Sequence, residues 1–68
     1  MFNKFKVGEI VLCCGVGEVT GKYICERGKI VEKDYYYKDY CVKFKNGTEE
    51  WFKEKDIQKI NDENGGSK

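Results

Sequence analysis

Residues 40–52, YCVKFKNGTEEWF, have the pattern of two β-strands joined by a tight turn. Successive side chains of a strand point to opposite faces, so Tyr40, Val42 and Phe44 share one face. Asn46-Gly47 follows directly, and Asn-Gly is the strongest short hairpin signal because both residues tolerate a positive φ. The stretch therefore predicts a hairpin, with a third strand from Tyr40 to Phe44 and a fourth from Thr48 to Phe52.

The rest of the chain continues this pattern of short apolar runs separated by glycines. A first strand is predicted from Glu9 to Cys14 and a second from Lys29 to Lys33, while residues 53–60 fit a 3-10 turn and a last short strand. No window has the 3.6-residue periodicity of an amphipathic helix. Short strands with turn signals between them are typical of small barrels and sandwiches, so the sequence predicts an all-β fold of five strands.

The first strand and the loop after it make two further predictions. Residues 9–14 lack strict polar alternation, which predicts burial on both faces, or burial on one face and a partner on the other. Residues 15–21, GVGEVTG, contain three glycines and are expected to form a long mobile loop. The predicted core combines residues from several strands: Val11, Tyr40, Val42, Phe44, Phe52 and Ile57.

Length and charge limit the class of protein. The chain has 68 residues, enough for one domain, which we place at residues 1–60; residues 61–68 lack apolar side chains and are expected to be a disordered tail. Thirteen basic and twelve acidic residues do not give the positive excess usual in a dedicated DNA-binding domain. With no apolar segment for secretion or membrane insertion, we expect a cytoplasmic protein, and its lysine-rich composition suits an accessory protein of a phage or mobile element.

The residues that could perform catalysis or bind a metal are poorly arranged for either role. The four cysteines, Cys13, Cys14, Cys25 and Cys41, include no Cys-x-x-Cys pair to start a zinc site, and we expect all four to be free thiols. The chain has no histidine to activate a nucleophile. Glu49 and Glu50 are adjacent on a strand and are expected on a solvated edge rather than as a convergent acid–base pair. We therefore expect no enzymatic activity, no cofactor and no metal.

Aromatic residues are the strongest functional signal. In DYYYKDY, residues 34–40, the residues Tyr35 to Tyr37 lie in a predicted turn and cannot all point inwards. Alternation also places Trp51 outside if Phe52 is inside. Tyrosine and tryptophan dominate interface energetics, so the predicted partner-binding residues are Tyr35, Tyr36, Tyr37 and Trp51. The alternative is that the tyrosine triplet packs over the open end of a barrel.

Four segments together resemble the SH3-like barrel class, which includes Tudor, chromo-barrel and KOW domains. They are KVGEIVL (6–12), RGKIVEK (27–33), YCVKFKNG (40–47) and EEWFKEKDIQKI (49–60). The resemblance implies a five-stranded barrel with a short 3-10 turn before the last strand. It also implies that the first loop lines a binding surface.

The resemblance leaves three binding functions open. The first is recognition of a protein partner by the aromatic residues, by a monomer or weak homodimer that does not contact membranes. RGKIVEK resembles KOW domains and implies RNA binding, with backbone contacts from Lys22, Arg27, Lys29, Lys33 and Lys43. EEWF resembles a segment of chromo-barrels, which with Tudor domains hold methylated lysine in an aromatic cage by cation–π attraction.

Overall fold

The computed structural model describes residues 4–60 as five antiparallel strands and one 3-10 turn. The strands are β1 (Ile10–Val16), β2 (Tyr23–Asp34), β3 (Asp39–Phe44), β4 (Glu49–Lys53) and β5 (Ile57–Lys59), with the 3-10 turn at Glu54–Asp56. The prediction of an all-β fold with a 3-10 turn before the last strand is confirmed. The predicted tail, residues 61–68, lies outside the described residues.

The five strands form a single sheet with the order β4-β3-β2-β1-β5. The sheet curls so far that the loop after β1 reaches the outer edge of β4. There the Glu18 N–H donates a hydrogen bond to the Trp51 carbonyl at 3.1 Å. At the other end, β5 pairs with the middle of β1, with Cys13 opposite Ile57. The outcome is an open, curled sheet with its apolar side chains on the concave face.

The strand β2 is the longest and begins six residues earlier than predicted. Its first half pairs with β1, from Tyr23 opposite Val16 onwards. Its second half also pairs with β3, but only from Gly28 to Asp34. The early part was missed because Ile24 is its one aliphatic residue, and a strand exposed on one face needs few apolar side chains.

The core confirms the predicted faces of β3 and β4. Phe52 is fully buried while Trp51 is half-buried, as alternation requires. All six residues predicted for the core are buried, and three more complete it: Phe5, Cys13 and Ile30. Phe5 packs edge-to-face on Tyr40, with 5.4 Å between ring centroids. The residues before β1 therefore contribute to the core, although no element was predicted for them.

The β3–β4 turn forms where it was predicted, but by a different mechanism. Gly47 has a φ of 92°, whereas Asn46 is not among the residues with positive φ. Asn46 acts through its side chain, since Oδ1 accepts from the Thr48 N–H at 3.0 Å and from the Thr48 hydroxyl at 2.8 Å. The hydrogen bond from the Gly47 N–H to the Phe44 carbonyl, 2.9 Å, closes the turn. Glycine supplies the left-handed residue that ends such a hairpin loop.

The cysteines differ from the expectation of four free thiols. Cys14 and Cys25 are directly opposite on β1 and β2 and form a disulfide, while Cys13 and Cys41 are free and buried. The expectation was wrong for the bonded pair because Cys25 lies in the part of β2 that was not predicted. The expectation of free thiols also rested on that of a reducing, cytoplasmic compartment, in which disulfides are rare.

Candidate functional site

The tyrosine turn, residues 35–38, is held in one backbone conformation by its flanking residues. Asp34 Oδ1 accepts hydrogen bonds from the N–H groups of Tyr36 and Tyr37, at 2.9 and 3.2 Å. Lys38 has a φ of 61°, which turns the chain back into β3. An aspartate that bonds the backbone two and three residues later is a standard way to stabilise a turn. The turn thus presents its tyrosines from a fixed backbone.

Most of the surface of these three rings faces solvent. Tyr35, Tyr36 and Tyr37 are 63%, 83% and 64% exposed. Tyr36 and Tyr37 meet edge-to-face, with 4.7 Å between centroids, and Lys33 Nζ lies 5.2 Å from the centroid of Tyr35. Rings that covered the open end of a barrel would be largely buried, so the packing alternative does not describe this arrangement.

Trp51 lies on the outer face of β4 and is separated from the tyrosine turn by an ion cluster. Lys53, two residues further along β4, pairs with Asp39 at the base of the turn. Its Nζ is 2.8 Å from Asp39 Oδ1 and 3.8 Å from Glu18 Oε2. The hydrogen bond to Asp39 raises the pKa of Lys53 above its usual value. The predicted aromatic residues therefore form two patches, with charged side chains between them.

The loop after β1 is fixed by a buried glutamate, contrary to the expectation of mobility. Glu50 is 2% exposed, and its Oε1 accepts from the N–H groups of Val19 at 2.9 Å and Thr20 at 3.4 Å. Gly17 lies directly against this carboxylate, and a Cβ there would overlap it. The expectation of a solvated edge was wrong for Glu50, because the face that buries Phe52 also buries the residue two positions earlier.

Hydrogen bonding keeps this buried carboxylate charged. Burial alone would raise the pKa of Glu50, but hydrogen bonds from the Thr20 side chain and from the N–H groups of Val19 and Thr20 outweigh it and lower the pKa. A group whose folded pKa is depressed stabilises the fold above its unfolded pKa. That stability is lost as the pH falls through the folded pKa. The hydrogen bonds between Glu50 and this loop should therefore weaken as the pH falls and the carboxylate is protonated.

We expect Glu50→Gln to destabilise the protein by about 1–3 kcal/mol near neutral pH. The substitution replaces a charged carboxylate acceptor with a neutral amide oxygen, which accepts weaker hydrogen bonds at this buried site. The difference in melting temperature between wild type and variant should then shrink below about pH 4.3, the usual pKa of a glutamate. Thermal melts from neutral to acid pH check this, with Glu49→Gln, an exposed neighbour, as the control. Parallel melting curves for Glu50→Gln and wild type at every pH would contradict the role of the carboxylate.

A groove on the outer face brings together several of the predicted basic residues. Its volume is about 390 Å³, and its floor is formed by Ile10, Gly28 and Phe44. Its rim carries four cations: Arg27, Lys29, Lys43 and Lys45. The β-ladder explains the grouping, since Lys29 lies opposite both Ile10 and Lys43. Lys45, the first residue after β3, was not among the predicted contacts.

The other two predicted nucleic-acid contacts lie away from this groove. Lys22 precedes β2, and Lys33 lies near the tyrosine turn, with its Nζ 5.9 Å from the Tyr40 centroid. The structure therefore brings together three of the five predicted contacts, and it adds Lys45 to them.

The remaining titratable groups of the core are held in their neutral forms. Burial, assisted by Asp56, raises the pKa of Cys13 to about 12, and burial with Glu49 raises that of Cys41 to about 11. Burial and a 2.5 Å hydrogen bond to Glu54 raise the pKa of Tyr40 to about 12. Both thiols stay protonated near neutral pH, and a protonated thiol is a poor nucleophile.

Two properties of the described chain concern metals and membranes. Residues 4–60 contain no group of three or more cysteine, aspartate or glutamate side chains placed to hold a metal ion. Within the same residues, no helix has the length and apolar character needed to cross a membrane.

Comparison with known proteins finds no protein-family model that matches this chain and no curated protein that matches it.

Proposed function

We propose that this protein is a non-catalytic binding module that recognises a protein partner through the tyrosine turn. The observation that carries the proposal is the exposure of three consecutive tyrosines, each more than 60% exposed, on a turn fixed by Asp34. Tyrosine and tryptophan are the side chains that most often supply binding energy at protein interfaces. A fixed turn also reduces the entropy lost on binding, because its backbone is already ordered.

The strand order supports an SH3-like barrel as the scaffold of this module. The sheet β4-β3-β2-β1-β5 curls until the Glu18 N–H meets the Trp51 carbonyl, and a 3-10 turn precedes the last strand. In this proposal Trp51 is a second, half-buried contact on the outer face of β4. A partner that reaches both patches must cross the ion cluster around Lys53, so its contacting surface includes polar groups.

Two alternatives remain as competing proposals with their own signatures. A KOW-like RNA-binding domain would use the cations, and its affinity would fall steeply with added salt. A Tudor-like reader of methylated lysine would need rings that surround one cation. The rings of the turn meet instead in one edge-to-face pair, with Lys33 already over Tyr35, which favours an open aromatic contact surface.

We expect Tyr36→Ser to weaken partner binding by roughly 2 kcal/mol or more, because Tyr36 is the most exposed ring of the turn. Melting temperature should hardly change, since a ring that is 83% exposed loses little burial. The measurement is the amount of protein captured from host lysate, with and without nuclease, by immobilised wild type and variant. Tyr35→Ser and Tyr37→Ser should act in the same direction.

Tyr23→Ser is the matched control, because Tyr23 is also a solvent-facing tyrosine, 69% exposed, but at the opposite end of β2. Equal losses of binding at Tyr23 and Tyr36 would contradict a site at the turn. Loss of capture after nuclease treatment, with the ring substitutions neutral, would favour the nucleic-acid alternative. Unfolding by the tyrosine substitutions would show that the triplet is structural.

A further inference from the structure

The first half of β2 has a ladder partner on one side only. β1 pairs with β2 from Tyr23 to Lys29, but β3 pairs with it only from Gly28 onwards. Within residues 4–60, the segment Tyr23–Glu26 is thus an edge of the sheet, in line with β3 and just beyond its end. An edge of this kind is a template for pairing with another strand.

The direction of the backbone groups along this edge follows from hydrogen bonds further along β2. The Ile30 N–H donates to the Glu9 carbonyl, and the Ile30 carbonyl accepts from the Gly8 N–H, so the backbone groups of Ile30 face the β1 side. These groups alternate sides along a strand. Tyr23 and Cys25 therefore direct their N–H and C=O groups to the open side, which provides four ladder groups for an added strand.

The edge also lacks several of the features that prevent unwanted pairing. Such features include prolines, edge lysines, very short strands and bulges. The segment Tyr23–Glu26 contains neither lysine nor proline, and the β1–β2 register is continuous beside it. The Cys14–Cys25 disulfide further joins the edge to β1 at its centre. The edge is therefore well ordered for docking.

The basic groove lies at the end of this edge, where β3 leaves β2. An incoming strand in line with β3 would reach the rim between Arg27 on one side and Lys45 on the other. Glu49, the partner of Lys43 on β4, lies in the same cross-strand row, yet four cations on the rim leave the groove positive. The complementary occupant is acidic, and the apolar floor at Ile10 accepts an aliphatic side chain.

We propose that this edge and groove form a docking site for an extended acidic segment of another protein, which adds to β2 as an extra strand. Main-chain hydrogen bonds to Tyr23 and Cys25 provide affinity, and the cations of the groove select acidic side chains. The site lies at the opposite end of β2 from the tyrosine turn, so it is independent of the function proposed for that turn.

Two other occupants fit the observations less well. A second copy of this chain would bring an equally positive groove instead of the acidic side chains that complement this one. Single-stranded nucleic acid is acidic, but such sites usually provide aromatic rings on which bases stack. Phe44 in the floor is 5% exposed, so Tyr23 is the single exposed ring among the residues of this site, whereas single-strand sites stack successive bases on several rings.

The test uses the full chain and a short synthetic peptide of alternating glutamate and valine. We expect the peptide to bind, and amide hydrogen exchange at Tyr23 and Cys25 to slow on binding. Tyr23→Pro removes an N–H group that faces the open side. It should lower the affinity for the peptide about fivefold, the change expected from the loss of one backbone hydrogen bond. Tyr23→Ala keeps that N–H group and is the matched control for loss of the ring.

The charge of the groove is tested separately. A Lys29→Glu, Lys45→Glu double variant should bind the acidic peptide more weakly and a lysine–valine peptide more tightly, while Lys55→Glu, on the 3-10 turn, should change neither. Unchanged exchange at Tyr23 and Cys25 on peptide binding would overturn the proposal. So would equal affinities of Tyr23→Pro and Tyr23→Ala, concentration-dependent dimerisation that protects the same amides, or tighter binding of oligothymidine than of the peptide.

Discussion

Phe52→Ala should cost about 3–5 kcal/mol, the usual loss for truncating a buried phenylalanine. The ring is fully buried and meets Phe44 edge-to-face, with 6.1 Å between centroids. The core of a chain this short contributes only about 3–5 kcal/mol of net stability, so the variant should lose most of that contribution and depend on the disulfide for what remains. Circular dichroism and urea titration of wild type and variant check the prediction.

Trp51→Ala is the internal control for this result, because Trp51 is the neighbour of Phe52, points to the opposite face of β4 and is half-buried. It should cost clearly less than Phe52→Ala. If Phe52→Ala cannot be purified, Phe52→Leu gives a measurable comparison, since leucine retains most of the buried volume. Similar losses of stability for alanine at the two positions would show that the faces of β4 are wrongly assigned.

Removal of the Cys14–Cys25 disulfide should be the next largest effect, about 3 kcal/mol. The crosslink joins residues 11 positions apart, and closing a loop of about this length removes that much conformational freedom from the unfolded chain. Urea titration with and without reductant measures the loss directly. Mass spectrometry of protein purified in air should show the loss of two hydrogens relative to the chain with four thiols.

The Cys14→Ser, Cys25→Ser double variant separates the crosslink from other effects of the reductant. Its stability should match that of the reduced wild type and should not respond to reductant. Four thiols that react with an alkylating agent under native, non-reducing conditions would contradict the disulfide. A response of the double variant to reductant would show that Cys13 or Cys41 is involved.

The parts of the fold that sequence predicts well are those fixed by neighbouring residues. Alternation of apolar and polar side chains is a local signal, and it identified the faces of β3 and β4, including the burial of Phe52. The same alternation places Glu50 inside, two positions from Phe52, but a charged side chain was expected to be solvated. Its burial depends on N–H groups from Val19 and Thr20, about 30 residues earlier, which no local pattern reveals.

The parts that sequence predicts poorly depend on the register between strands. Cys14 and Cys25 are partners only because β2 extends back to Tyr23, and their own segments carry no sign of that extension. The groove has the same origin, since Lys29 and Lys43 are adjacent across two strands rather than along one. The tyrosine turn was easier to identify, because three rings in a turn exceed what a small core can bury.

The sheet order also separates early from late steps of folding. β1, β2 and β3 each pair with the next strand along the chain, so these contacts close short loops. The pairing of β5 with β1 joins Ile57 to Cys13, across almost the whole domain, and contacts between such distant residues are slow to form. The β1–β5 ladder should therefore form last. Weakening the contacts of Ile57 should then accelerate unfolding while leaving the rate of folding almost unchanged.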